Sequence, residues 1–115
     1  DPAHSHLVPA AIRKVHEAKL CGAGQVEIWG TGEARREFML AADLADAVAR
    51  HVVHGASAPE LMNIGLGHDH SVNAYYAAIA QVVGWQGEFV HDLSRPVGMA
   101  RKLVDVRGPL GWRSF

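Results

Sequence analysis

Apolar residues recur every three or four positions in three stretches of the chain, the spacing that places them on one face of a helix. The pattern predicts helices over residues 7–20, 42–53 and 72–83. Pro9 suits a first helical turn, Ser71 suits an N-cap, and Gly22 and Gly84 follow two of the stretches as stop signals. Each predicted helix therefore has one apolar face and one polar face.

Between the predicted helices and after the last of them lie short apolar runs, several bounded by glycine or other small residues, a pattern typical of strands. These runs predict strands over residues 25–29, 61–64, 88–91 and 101–106. The sequence Gly30-Thr31-Gly32 predicts the turn of a hairpin in which residues 34–40 form the returning strand. Residues 55–59 are small and predict a loop. Alternating helices and strands indicate an α/β fold with α+β character, a small mixed domain of helices and short strands.

Composition narrows the classes of protein that fit this pattern. The chain has 115 residues and a formal net charge of -1, which suits one small domain and argues against a nucleic-acid or polybasic membrane surface. No apolar run approaches the roughly 20 residues that span a bilayer. Cys21 is the only cysteine, so an internal disulfide is excluded and a reducing compartment fits. We therefore expect a cytoplasmic protein with a single domain over residues 1–115.

Three groups of polar side chains are candidates for binding or catalysis. His6 precedes the first predicted helix, where a histidine can transfer protons near neutral pH or simply pack in a loop. Trp29 and Arg36 flank the glycine turn, where they could bind a base or sugar and a phosphate, or decorate a surface hairpin. Lys102 follows Arg101, and this pair could complete an anion site or be solvated. The residues alone leave each of these alternatives open.

The eight histidines raise the question of a metal site. His51 and His54 are spaced for one side of a helix, and His68 and His70 flank Asp69. Neither pair has a cysteine or glutamate at a recognised ligand spacing, and zinc requires three or four converging ligands. We therefore expect no metal.

Several short segments, taken in order, resemble the GDP-L-fucose synthase family of extended short-chain dehydrogenases/reductases, within the NAD-dependent epimerases/dehydratases. The resemblance covers nearly the whole chain. The matching segments are Ser5-His6-Leu7-Val8-Pro9-Ala10, Val26-Glu27-Ile28-Trp29-Gly30-Thr31-Gly32, Arg35-Arg36-Glu37-Phe38, Asp43-Leu44-Ala45, Asn63-Ile64-Gly65-Leu66-Gly67, Val82-Val83-Gly84-Trp85-Gln86-Gly87, Arg101-Lys102-Leu103-Val104-Asp105-Val106 and Leu110-Gly111-Trp112.

The resemblance implies a place in a two-domain enzyme. In this family an N-terminal Rossmann domain binds NADP and supplies a Ser-Tyr-Lys set, and a C-terminal domain binds the nucleotide sugar. The complete enzyme epimerises GDP-4-keto-6-deoxy-D-mannose at C3 and C5 and then reduces the C4 ketone with NADPH. This chain resembles only the C-terminal part, so we expect a substrate-binding domain without the Rossmann domain and no NADP bound to this chain alone.

Family residues can be carried over at five positions. The resemblance implies that His6 is a catalytic proton donor for epimerisation and lies beside the cofactor. It also implies that Lys14, Trp29, Arg36 and Lys102 contact the nucleotide sugar. The chemistry of these side chains is consistent with such contacts, because the three cations could neutralise a pyrophosphate while Trp29 covers a flat apolar face.

The sequence also departs from the family pattern. No Tyr-x-x-x-Lys segment is present, and Val97 follows Arg95-Pro96 where the family usually has an acidic residue. Gly30-x-Gly32 and Gly65-x-Gly67 lack the third glycine of a dinucleotide fingerprint.

Three interpretations of the chain stay open. It could be an inactive part of the epimerase-reductase, a non-catalytic nucleotide-sugar-binding module, or a structural or interaction protein that reuses the fold. Because a lone half would expose apolar surface, we expect self-association or a partner chain. We expect neither nucleic acid nor a membrane as a partner.

Overall fold

The structure is a computed structural model that describes residues 6–54, 61–107 and 111–113. The described residues form helices and short strands, which confirms the predicted α/β fold with α+β character. The elements in chain order are α1 (Leu7–Cys21), β1 (Gln25–Trp29), β2 (Arg35–Arg36), α2 (Ala41–His54), β3 (Asn63–Gly65), β4 (His70–Ser71), α3 (Val72–Val83), β5 (Glu88–Asp92), β6 (Arg101–Lys102) and β7 (Gly111–Arg113).

The chain divides into two compact units. The first unit comprises Asp1–Ala34 and Ser71–Ala100, and the second comprises Arg35–His70 and Arg101–Phe115. The chain passes from one unit to the other three times: after Ala34, within β4 and after Ala100. The single substrate-binding domain expected over residues 1–115 stays a prediction.

The first unit has an apolar core between two helices and a pair of strands. Helix α1 packs against α3 and β1. Phe89 packs its ring edge-on to Tyr76 at 5.5 Å and tilted to Trp85 at 5.3 Å. The buried residues of this core are Ala11, Val15, Ala18, Val26, Ile28, Tyr76, Ala80 and Trp85. The predicted helical faces therefore supply most of the core.

Local signals place the ends of α1 and α3. Gly22 has φ of 70° and its N–H donates to the carbonyl of Ala18, which closes the last turn of α1. The hydroxyl of Ser71 accepts a hydrogen bond from the N–H of Ala74 at 3.1 Å, and Gly84 ends α3. The predicted helices at residues 7–20 and 72–83, with their caps, are confirmed.

The predicted hairpin around Gly30-Thr31-Gly32 is wrong. β1 pairs in parallel with β5, with Gln25 beside Glu88 and Trp29 beside Asp92. The segment after the turn forms only the two-residue β2, which pairs in parallel with β6. Parallel partners are joined by long crossover connections, so a turn sequence carries no information about them.

The second unit contains α2 and several very short strands. β3 pairs in parallel with β7, and a second sheet has the strand order β4-β2-β6. α2 confirms the helix predicted over residues 42–53, and its Ala47 is buried. The loop expected over residues 55–59 lies outside the described residues. None of the helices in the described ranges is both long and apolar enough to cross a bilayer.

Strands β3, β6 and β7 of the second unit also differ from the sequence pattern. β3 begins two residues later than predicted, and β7 is too short to give a recognisable pattern. β6 ends at Lys102 instead of reaching residue 106 because side chains take over the backbone groups that follow it. The N–H of Val104 donates to Glu37 Oε2 at 3.1 Å, and the carbonyl of Asp105 accepts from Asn63 Nδ2 at 3.0 Å.

Candidate functional site

The first unit presents Trp29 at the C-terminal end of β1 with 48 % of its surface exposed. Lys14 Nζ lies 5.4 Å from the ring centroid and Arg95 Cζ lies 5.0 Å from it. The indole N–H donates to Glu27 Oε1 at 2.9 Å. Cations at this distance are attracted by the ring quadrupole. Trp29 is therefore held by polar neighbours while half its surface remains available to a flat ligand.

Both cations beside Trp29 have anchors of their own. Lys14 Nζ donates to the carbonyl of Glu27 at 3.1 Å, and Arg95 Nε donates to Asp92 Oδ2 at 3.2 Å. The hydroxyl and then the N–H of Ser94 are the main causes that lower the pKa of Asp92, and Arg95 adds to them. No local sequence signal marks Arg95 as a neighbour of Trp29, because Arg95 is remote from β1 along the chain.

The turn after Trp29 requires its glycines. Gly30 and Gly32 both have φ of 72°, a left-handed conformation that side chains rarely adopt. A Cβ on Gly30 would lie 2.3 Å from Val97 Cγ1, and a Cβ on Gly32 would lie 1.8 Å from Asn73 Oδ1. Val97, which stands where the family usually has an acid, thus packs directly against this turn.

Asn73 ties the same turn to α3 and β5. Its Nδ2 donates to the carbonyl of Thr31 and to Glu33 Oε1, each at 3.0 Å. Its Oδ1 lies 2.8 Å from His91 Nε2, so the hydrogen-bond network assigns the proton to that ring nitrogen. The loop that follows Trp29 is therefore held by directional bonds.

His6 lies at the N-cap position of α1. Its backbone is extended, with φ of -63° and ψ of 159°, its carbonyl accepts from the N–H of Ala10, and the residue is exposed. This position agrees with the expected loop-to-helix junction. The catalytic and cofactor-contacting roles of His6 stay predictions, and His4 and Ser5 lie outside the described residues.

The second unit brings Arg36 and Lys102 together. They are partners in the parallel register of β2 and β6, one residue after the Arg35–Arg101 partners. Arg36 Nη1 donates to the carbonyl of Arg35 at 2.7 Å. Adjacent strands lie about 4.8 Å apart, so one anionic group can reach both side chains.

Asp69 is a buried carboxylate, although its sequence context shows only that it lies between two histidines. Its side chain is 3 % exposed and contacts two guanidinium groups, with Arg35 Nε at 2.9 Å and Arg101 Nε at 2.5 Å. Arg35 also donates to its carbonyl at 2.8 Å. The hydrogen bond from Arg101, more than that from Arg35, lowers the pKa of Asp69 against the opposing effect of burial. This carboxylate is charged and joins β2, β6 and the segment before β4.

Glu37 is the second carboxylate that organises this unit. Its Oε1 accepts from the N–H of Leu66 and, at 2.9 Å, from that of Gly67, while Oε2 accepts from Val104. A Cβ on Gly65 would lie 2.7 Å from Glu37 Oε1. The N–H groups of the Gly65-Leu66-Gly67 turn are therefore bonded to a carboxylate and are not directed at a ligand phosphate.

A cavity of about 480 Å³ also lies in the second unit, on the segment that follows β6. Its lining includes Arg101 and Arg107, which are paired with Asp69 and Asp105, and it includes neither Arg36 nor Lys102. The cavity and the predicted cation pair are thus different features.

Metal ligands do not converge in the part of the chain that the structure describes. There, no group of three or more histidine, cysteine, aspartate or glutamate side chains could hold an ion. His68 and His70 lie edge to face with ring centroids 5.6 Å apart, and Cys21 is exposed.

A family model relates this chain to epimerases and dehydratases, and two curated relatives relate it to synthases of GDP-sugars. Residues 1–65 match the model of the NAD dependent epimerase/dehydratase family. The chain is 51 % identical over 114 residues to the GDP-L-fucose synthase of Azorhizobium caulinodans, and 46 % identical to the GDP-L-colitose synthase of Yersinia pseudotuberculosis. These alignments cover 97 % of this chain but only 36 % and 37 % of the two relatives.

A solved structure supports the same relationship. A GDP-mannoheptose C4 reductase from Campylobacter jejuni, with NADP bound, superposes with a TM-score of 0.78 at 33 % identity. The match covers 96 % of this chain and 40 % of that protein. The chain therefore spans a little over a third of the length of its relatives.

Proposed function

Because the chain belongs to the NAD dependent epimerase/dehydratase family, we propose that it forms the nucleotide-sugar-binding part of a GDP-L-fucose synthase-like epimerase-reductase. The observation that carries this proposal is the register of β2 and β6, which sets Arg36 beside Lys102. Two adjacent cations suit the diphosphate of a nucleotide sugar, because charge-assisted hydrogen bonds to phosphate are strong. The relatives are named for GDP-sugars, so the ligand we propose is a GDP-sugar.

Trp29 and Lys14 in the first unit are further proposed nucleotide-sugar contacts. The half-exposed indole offers a face to a base or sugar, and Lys14 adds a positive charge beside it. Arg95, which lies equally close to the ring, belongs to the same cluster.

His6 is the proposed catalytic residue. Epimerisation beside a ketone removes a proton from carbon and returns one to the other face, and histidine is the side chain that most often serves as a general acid in such proton transfers. In this proposal His6 also lies beside the cofactor in the complete enzyme.

Hydride transfer is not assigned to these residues. NADPH would supply the hydride in the complete family enzyme, yet the described residues do not form a dinucleotide cradle. The Gly30 turn leads from β1 into β2 without a helix, and the N–H groups of Leu66 and Gly67 are bonded to Glu37. We therefore propose that these 115 residues bind the nucleotide sugar in the cytoplasm, bind no NADP alone and are inactive alone.

Calorimetric titration of the chain with GDP and GDP-mannose tests the proposal, with UDP-glucose and NADPH as comparisons. We expect guanine nucleotides to bind, and Arg36→Ala and Lys102→Ala each to weaken GDP binding about tenfold, equivalent to ~1.4 kcal/mol. Arg50→Ala is the matched control, since Arg50 is an exposed arginine on α2 that pairs with Asp46. Unchanged affinity in Arg36→Ala would reject the assigned site.

A second candidate function, an interaction protein, is favoured by one surface. Leu44, Val48 and Val52 recur every four residues along α2 and are 45 %, 48 % and 78 % exposed, and Leu40, directly before the helix, is 67 % exposed. Such an apolar stripe supports self-association or a partner chain. Sedimentation velocity should show association that Val48→Asp reduces. A monodisperse monomer at high concentration would contradict this candidate.

A further inference from the structure

β2 and β6 are too short to fix their own alignment. Each has two residues, and the ladder continues only through the N–H of Glu37, which donates to the carbonyl of Lys102 at 3.3 Å. A slip of one residue would exchange the side chains on the two faces of the pair. Some other contact must select the register.

Asp69 supplies that contact through corresponding positions of both strands. Arg35 and Arg101 are register partners, and both donate to the same carboxylate. Arg101 uses two nitrogens, with a second contact from Nη2 to Oδ1 at 3.3 Å. One buried carboxylate therefore holds β2 and β6 in a single register and neutralises part of the charge of the two arginines.

The next pair along the strands follows from this lock. Successive side chains of a strand point to opposite faces, so Arg36 and Lys102 lie on the other face from Arg35 and Arg101. Their alignment across the two strands is fixed by the alignment of Arg35 with Arg101. If the contacts of Asp69 were lost and the strands shifted, the distance between the two proposed phosphate-binding side chains would change.

We propose that Asp69 is the positioning residue of the Arg36–Lys102 pair, to which the proposed function assigns the diphosphate of the ligand. The inference rests on the proposed function. Asp69 itself contacts no ligand. It acts by holding β2 and β6 in the register that lets two cations engage two phosphate groups at once.

The test compares the affinities for GDP and GMP. Only a correctly spaced pair of cations can bind the second phosphate group of GDP and so give GDP the higher affinity. We expect the wild-type chain to bind GDP about tenfold more tightly than GMP. Asp69→Asn should reduce this preference to roughly threefold or less while leaving GMP affinity nearly unchanged. General damage to the fold would instead lower both affinities together. The matched control is Asp46→Asn, whose carboxylate also pairs with an arginine but on the exposed side of α2.

A second readout does not depend on nucleotide. Amide hydrogen exchange of Glu37 reports the bond to Lys102 that extends the ladder, and we expect Asp69→Asn to speed it about tenfold or more. If Asp69→Asn does not fold, Arg101→Lys replaces it, since lysine keeps the charge but loses the two-nitrogen fork.

The outcomes separate the two proposals. A retained GDP preference in a folded variant would overturn the positioning role and leave the proposed function standing. If the wild-type chain binds neither nucleotide, the proposed function fails, and unchanged exchange of the Glu37 amide in the variant would then also overturn the role of Asp69 in the register.

Discussion

The two units hold their candidate residues by different forces. The first unit has a cluster of eight buried residues that are apolar or aromatic, and Trp29 extends from a strand within it. Among the described residues of the second unit, those that are buried besides glycine are Ala47, Val106 and Asp69. Arg36 and Lys102 are therefore placed by the carboxylates of Asp69 and Glu37 more than by apolar packing. Burial of apolar surface tolerates small shifts, whereas an ion pair or hydrogen bond depends on direction.

The largest expected effect is on the apolar core. Ile28 is 1 % exposed, and Ile28→Ala removes buried methyl groups and leaves a cavity. We expect the free energy of unfolding to fall by about 3 kcal/mol, measured by urea denaturation. Val82→Ala, at a position 88 % exposed, should change it by less than about 0.5 kcal/mol. Equal effects of the two substitutions would contradict the description of the first unit.

Glu37→Gln should have the next largest effect and tests the carboxylates of the second unit. The side-chain oxygen of glutamine can still accept a hydrogen bond, but its NH₂ group cannot. That group would replace an oxygen that now accepts from a backbone N–H such as that of Val104, so this hydrogen bond would be lost. A hydrogen bond to a charged acceptor contributes roughly 1.5–3 kcal/mol, and its exposure to solvent places this bond at the lower end of that range. Faster hydrogen exchange should be concentrated at the amides of Leu66, Gly67 and Val104. Glu17→Gln, on an exposed position of α1, is the control, and an equal response from it would remove the distinction.

Ser71→Ala tests how much one directional hydrogen bond contributes to the first unit, at the N-terminus of α3. The hydroxyl accepts from the N–H of Ala74, and its loss should lower the free energy of unfolding by about 1 kcal/mol. Ser71→Asp should recover most of that stability, because aspartate is also a good cap and suits the positive end of the helix. If Ser71→Asp were no more stable than Ser71→Ala, the N-cap role assigned to Ser71 would be wrong.

The smallest expected difference is the acid dependence contributed by Asp69, since its two arginine partners are 46 % and 60 % exposed and are screened by solvent. Its folded pKa lies below the ordinary 3.8, so its stabilising contribution is present above that pH and is lost as the pH falls through the folded pKa. The stability gap between wild type and Asp69→Asn should therefore narrow between about pH 6 and about pH 2.5 in urea denaturation. The gap between wild type and Val82→Ala should stay constant. A gap that widens in acid would contradict the lowered pKa.

Much of the first unit could be predicted from sequence, and much of the second could not. The apolar spacing of α1 and α3 and the caps at Gly22 and Ser71 are signals within a few residues of each other. The hairpin failed because the partner of β1 lies on a distant segment. Of the candidate residues, Trp29 and Lys14 are brought together, as are Arg36 and Lys102, whereas Asp69, Glu37 and Arg95 carried no local signal of their importance.

The sequence by itself determined the family, through short segments that match it in order. It also determined the helices and where they end, because helix formation and capping depend on neighbours three or four residues apart. Only the tertiary structure decided which strands pair, and hence that Arg35 and Arg101 share Asp69 while Arg36 lies beside Lys102. Hydrogen bonds and ion pairs act over about 3 Å, so they reveal their partners only after distant segments have been brought together.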